Sequence, residues 1–134
     1  MNEWIKAEYF RLRHEGWAAS CAWRAAKVKD AWEDAEAEGL VRLGADPDEC
    51  TYIEDLDPDG TPEQRAETMR RANRDGVWVF YTEYLDPVHG WVVADSIGGV
   101  LGDDFEDSGY DTDLRENALD ALNAIDPKLC QGWC

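Results

Sequence analysis

Apolar positions at helical spacing define the most regular part of the chain. Between Ala18 and Glu38 one stripe recurs at intervals of four, three, four and three residues: Cys21, Ala25, Val28, Trp32 and Ala35. This spacing places side chains on one face of an α-helix, and Gly39 is suited to end that helix. Apolar spacing also predicts helices over residues 3–14 and from Leu114 to Ile125.

A helix-start signal at Thr61 predicts one more helix, between the helix that ends near Glu38 and the one that begins at Leu114. Thr61 can cap its N-terminus, Pro62 suits the first turn, and Gln64 stands three residues after Thr61. The helix is expected to stop near Asp75-Gly76. It carries four arginines, at positions 65, 70, 71 and 74.

Strand signals follow this helix. The segment Val77–Leu85 is rich in β-branched and aromatic residues, and residues 86–90 have turn chemistry before a return strand over 91–95. We expect Trp78 and Trp91 to face each other across this hairpin. A shorter strand is predicted near 40–44. The pattern predicts a single α+β domain over residues 1–134, in which about four helices pack on one face of a small antiparallel sheet.

Charge is distributed very unevenly along this pattern. The net charge is −17, and two stretches without lysine or arginine account for it. Residues 46–63 carry eight carboxylates; residues 77–113 carry nine, six of them between 103 and 113. We call residues 46–63 and 103–113 the first and second acidic blocks, and both are expected to be loops. Such blocks create negative potential that attracts cationic partners and repels nucleic acid.

Composition limits what such a chain can be. Apolar residues make up 44 % of it, which is too many for a disordered acidic tail. Direct binding to nucleic acid is disfavoured, because neutralising phosphates needs many basic residues on one face. The N-terminus has no targeting pattern and no long apolar run, so we expect a cytoplasmic protein.

Metal binding is an alternative that the motifs keep open. The Asp55–Gly60 loop has the D-x-D-x-D-G opening of a calcium site, but its twelfth position is Ala66 where a bidentate Glu is required. In the second block a similar opening starts at Asp104 and ends on Arg115. Cys130 and Cys134 lack a second closely spaced ligand pair for zinc. We therefore expect no metal and no cofactor, with a calcium-binding module as the rival interpretation.

Catalysis has little support in the sequence. His14 and His89 have no nucleophile motif beside them. A cleft that joined His89 to Glu83 and Asp95 would be needed to favour an enzyme. We expect a protein that acts by binding and not by catalysis.

Several short strings resemble small acidic proteins carried by phages and plasmids. They are Arg74-Asp75-Gly76-Val77-Trp78, Ala94-Asp95-Ser96 and the run from Gly102 through Asp111. In its charge the chain is similar to DNA-mimicking anti-CRISPR and anti-restriction proteins. The resemblance implies a phage-encoded inhibitor that offers carboxylates where a host nuclease complex expects phosphates.

That hypothesis names ten contact residues: Asp48, Glu49, Asp55, Asp57, Asp59, Asp103, Asp104, Glu106, Asp107 and Asp111. The partner would be a host nucleic-acid-binding defence protein, either a CRISPR effector or a restriction enzyme, with a basic groove. Mimicry requires the two blocks to share a face. If they lie on opposite faces, solubility explains the charge instead.

Overall fold

The described part of the chain forms helices that pack around a three-stranded sheet. The computed structural model describes residues 3–49, 56–102, 104–107 and 109–126, the side chains of 106 and 107 excepted. The elements in chain order are α1 (Glu3–His14), α2 (Ala19–Ala37), β1 (Val41–Pro47), α3 (Pro62–Asp75), β2 (Val77–Asp86), β3 (Gly90–Leu101), α4 (Asp104–Asp107) and α5 (Tyr110–Ile125). The predicted α+β class and its antiparallel sheet are confirmed.

The sheet has the order β1-β2-β3, with both neighbours of β2 antiparallel to it. The strands β1 and β3 therefore run in the same direction. Both finish where β2 begins: Pro47 and Val100 are the register partners of Trp78 on either side. This topology brings the chain segments that leave β1 and β3 to one end of the sheet.

One face of the sheet forms the core with α2 and α5. The main cluster contains Val28 and Trp32 of α2, Val41 of β1, and Leu119 and Leu122 of α5, all nearly inaccessible to solvent. Hydrogen bonding also ties this face to α5. The hydroxyl of Thr82, which is fully buried, donates to the carbonyl oxygen of Leu114 at 2.8 Å.

The remaining helices pack around this layer. The helix α1 lies on α2 through Leu12, Ala22 and Ala25. The helix α3 begins with the predicted capping box: the Gln64 amide donates to the Thr61 hydroxyl at 3.2 Å, and the Thr61 amide donates to the Gln64 side chain at 2.9 Å. Pro62 has no N–H, so two of the three orphan amides at this helix end are thus satisfied.

Two strands are longer than the sequence predicted. β1 continues through Gly44 to Pro47, and proline is tolerated there because β1 is an edge strand. β3 continues through Gly98 and Gly99 to Leu101, beyond the predicted end of the return strand at residue 95. Two register shifts between β2 and β3 absorb the extra residues as bulges.

The second acidic block is not a loop throughout. Residues 104–107 form the one-turn helix α4, and α5 begins at Tyr110, four residues before the predicted start. Asp111 and Asp113 lie in the first turn of α5, where the helix dipole favours acidic side chains. That preference explains why an acidic segment is helical here.

Two expectations about single residues were wrong. Cys21 is exposed, and its neighbour Ala22 is the buried residue at the start of α2, because α1 packs there. Trp78 and Trp91 do not face each other: Trp78 pairs with Val100 and Trp91 with Leu85, so the two indoles lie at opposite ends of the hairpin.

Candidate functional site at the acidic end of the sheet

The two acidic blocks start side by side. Asp46 and Pro47 end β1, and the second block starts two residues after β3 ends at Leu101. Adjacent strands are about 4.8 Å apart, so β1 and β3 are separated by about 10 Å across β2. We use the term acidic end for residues 46–49, 57–59 and 104.

Asp48 ties the first block to β3 directly. Its backbone amide donates to the Val77 carbonyl at 2.9 Å, and its carboxylate accepts from the Gly99 amide at 2.6 Å. The side chain thus reaches past β2 to a bulge of β3. A side chain at Gly98 would place its Cβ 3.0 Å from the same carboxylate, so glycine keeps this path open. Asp48 has a structural role at the acidic end.

Both blocks also contact α3, on the same side of the helix. Asp57 of the first block lies 3.5 Å from the Thr68 hydroxyl, and Asp104 of the second block forms an ion pair with Arg71 at 2.5 Å. Thr68 and Arg71 are three residues apart, which makes them neighbours on one helix face. The helix therefore joins the two blocks into one surface.

The α3 arginines partly neutralise this surface. Arg70 pairs with Glu67 at 2.5 Å, and Arg74 pairs with Asp75 at 2.8 Å. The hydrogen bond from Arg74 lowers the pKa of Asp75 below its ordinary value. Arg74 and Arg70 are more than 60 % exposed, so these pairs add little stability. Their main effect is to reduce the negative potential beside the blocks.

Three carboxylates of the acidic end remain available to a partner. Asp46, Glu49 and Asp59 are exposed, and within the described part of the chain none of them forms an ion pair. Asp46 and Glu49 stand at the end of β1. Asp59 precedes the N-terminus of α3, whose 14 residues span about 21 Å. The available charge is therefore divided between the end of β1 and the segment before α3.

The other predicted contact residues are distributed differently. Asp111 does not belong to the acidic end; it pairs with Arg115 at 3.0 Å in a cleft between α1, α2 and α5. Asp55 and Asp103 lie outside the described residues, as do the side chains of Glu106 and Asp107.

The cleft around Asp111 has balanced charges. It encloses about 250 Å³, and three acids and three bases line it, among them Glu8, Arg11 and Lys29. Lys29 lies 3.4 Å from the Glu8 carboxylate and Arg11 lies 2.7 Å from Glu15. Each of these cations has an acidic partner within the protein.

Across the ranges described above, no three His, Cys, Asp or Glu residues are placed to hold a metal ion. Part of the Asp55–Gly60 loop lies outside those ranges, and so do Cys130 and Cys134.

The side chains named for a catalytic cleft do not converge. Glu83 pairs with Arg42 at 3.0 Å, whereas Asp95 accepts from Asn117 of α5 at 2.7 Å on the other face of the sheet. His89 is 74 % exposed in the hairpin turn and contacts Asp86, whose pKa is lowered by hydrogen bonds from the backbone amides of His89 and Val88. His89, Glu83 and Asp95 therefore do not form a common site.

Sequence reasoning missed the part of the surface that adjoins the acidic end. Asp46 was counted in the first block but not among the predicted contacts. The outer face of the sheet was missed as well. In β2 both alternating sets are mostly apolar or aromatic and each includes at least one polar residue, so alternation could not tell the core face from the outer one.

The fold and this surface define a small α+β protein with a composite acidic end. Comparison of the chain with protein-family models, curated proteins and solved structures gives no match. None of the described helices is long and apolar enough to span a membrane. Function is therefore inferred from the surface.

Proposed function

We propose that this protein is a non-catalytic acidic inhibitor from a mobile element, such as a phage. It binds a host nucleic-acid-binding defence protein, a CRISPR effector or a restriction enzyme, in the bacterial cytoplasm. The acidic end occupies the basic groove that otherwise holds nucleic acid.

The observation that carries this proposal is the common end of β1 and β3. Because both strands finish beside the start of β2, the two acidic blocks leave the sheet about 10 Å apart. Duplex DNA presents one phosphate per about 1.7 Å of its axis. Carboxylates held on a folded scaffold offer a basic groove charges of the same sign as phosphates, with little ordering entropy to lose on binding.

The exposed carboxylates are the proposed contacts. Asp46, Glu49 and Asp59 can pair with a partner's Lys and Arg without first breaking a described ion pair. Asp104 has to break its ion pair with Arg71 before it can pair with a cation of the partner, and this loss offsets part of the binding free energy. Asp48 positions the first block through Gly99.

A displacement experiment tests the proposal. Purified guide-loaded CRISPR effectors and restriction enzymes are each bound to a short labelled DNA duplex and titrated with the protein. We expect it to displace DNA from at least one of them. The triple variant Asp46→Asn, Glu49→Gln, Asp59→Asn is expected to need at least tenfold more protein.

A matched control separates position from net charge. The variant Glu33→Gln, Asp34→Asn, Glu38→Gln also removes three negative charges. These lie at exposed positions near the C-terminus of α2, beside the opposite end of the sheet. We expect it to displace DNA within about twofold of the wild type, since rim charges distant from a contact contribute little. Equal inhibition by both triple variants and the wild type would overturn the proposal.

A further inference from the structure

The face of the sheet away from the core carries an aromatic surface that the proposed function has not used. In the register of the sheet, this outer face comprises Arg42, Gly44, Val79, Tyr81, Trp91 and Val93. Among the described elements, α2 and α5 pack on the opposite face, through residues such as Leu43, Phe80 and Ala94. The outer face is thus separate from the core.

Glycine makes the middle of the outer face flat. The Tyr81 ring lies directly over Gly44, where any Cβ would overlap it. Beyond it, Gly98 leaves room for Val79 and for the Asp48 carboxylate. A flat face with a large aromatic ring at its centre suits contact with another macromolecule better than capture of a small molecule.

The charges of the outer face are balanced except at one end. Arg42 forms two hydrogen bonds with Glu83, at 3.0 and 3.3 Å, and its guanidinium lies 4.1 Å from the centre of the Trp91 ring. Val93 beside them is 56 % exposed. At the other end of the same face stand Asp46 and Asp48. The outer face therefore runs from a neutral aromatic half into the acidic end.

We infer that the outer face and the acidic end form one continuous docking surface for the basic partner. This inference rests on the proposed function and adds to it that the partner carries an apolar element beside its basic groove. Tyr81 and Trp91 supply the desolvated centre, since Tyr, Trp and Arg dominate the binding energy of interfaces. The carboxylates supply steering and orientation.

Charge complementarity selects this occupant over the others. A second copy of the chain would bring a further net charge of −17 against the same acidic end, and the repulsion opposes such a dimer. Nucleic acid is repelled for the same reason. A protein with a basic surface matches the acidic half and can bury the aromatic half.

Variants of the outer face test the inference against the defence protein that the wild type displaces from DNA. Val93→Gln removes an exposed apolar group without adding charge, and Tyr81→Ala removes the central ring. We expect each to weaken binding at least tenfold at both low and high salt. The dependence on salt should stay as in the wild type. Phe10→Ala, which removes a 65 % exposed aromatic ring on α1, is the control and should bind within about twofold.

The outcomes separate the two claims. Normal binding by Val93→Gln and Tyr81→Ala, with loss only in the acidic triple variant, would overturn the docking role of the outer face and leave charge mimicry standing. Loss in the outer-face variants with normal binding by the acidic variant would overturn charge mimicry and, with it, the continuous surface. Unchanged thermal melting of Val93→Gln shows that its effect is not unfolding.

Discussion

Ion pairs within the protein decide which single carboxylates can serve a partner. Asp104 is paired with Arg71, and Asp111 with Arg115, whereas Asp46 lies exposed at the end of β1. The sequence alone could not show which of these carboxylates are paired. Arg71 and Asp104 belong to two helices, α3 and α4, whose packing is known only from the fold. The pair of Asp111 and Arg115 depends on where α5 begins. Asp46 became a candidate only when β1 was seen to continue to Pro47.

Glu8 makes a residue-scale prediction about pH. Its carboxylate accepts hydrogen bonds from Arg11 and lies 3.4 Å from Lys29; the bond from Arg11 is the main reason why the pKa of Glu8 is lowered. A group with a lowered folded-state pKa stabilises the protein above its ordinary pKa, and this contribution disappears as the pH falls through the lowered value. Glu8→Gln should therefore reduce the free energy of unfolding by about 2 kcal/mol at neutral pH and by much less in acid.

Urea unfolding at neutral pH and near pH 3 measures this difference. The control is Glu3→Gln, which alters an ion pair whose carboxylate is 89 % exposed and should change stability by less than about 0.5 kcal/mol. A Glu8→Gln deficit of the same size at both pH values would contradict the assigned role of the charge.

At the scale of elements, local signals were reliable and strand lengths were not. The helix periodicities, the capping box of Thr61 and the hairpin of β2 and β3 were predicted correctly, because each depends on residues close together in sequence. The first strand was expected to end near Gly44 and the return strand at residue 95, before Gly98, since glycine usually weakens a strand. Here Tyr81 lies over Gly44 and Asp48 fits beside Gly98, and both contacts come from distant parts of the chain.

The capping box leads to a prediction for α3, the helix that joins the two acidic blocks. Thr61→Ala removes the acceptor for the Gln64 amide and should reduce the free energy of unfolding by about 1 kcal/mol. The loss should appear first as faster amide hydrogen exchange in the first turn of α3. Thr61→Ser keeps the hydroxyl and should exchange like the wild type. Identical exchange in Thr61→Ala would show that the cap does not hold this helix end.

At the scale of the whole molecule, topology decides the meaning of the net charge. The sequence predicted two acidic blocks but could not tell whether they share a face. The order β1-β2-β3 brings the starts of the two blocks to the same end of the sheet, because strands that run in the same direction finish at the same end. Of the described second-block carboxylates, Asp104 lies at this end, whereas Asp111 lies in the cleft between α1, α2 and α5. Charge that served only solubility would not need the two blocks to start at the same end of the sheet. A partner with a basic groove would contact both starts at once.

The central claim is that charge at the acidic end, and not charge in general, drives binding. The measurement that tests it most directly is the affinity for the displaced defence protein as salt is raised from about 50 to about 200 mM, for the wild type and the two triple variants. We predict a loss of about tenfold or more for the wild type and for the Glu33, Asp34, Glu38 variant, and a clearly smaller loss for the Asp46, Glu49, Asp59 variant. The same salt dependence in all three proteins would contradict the account.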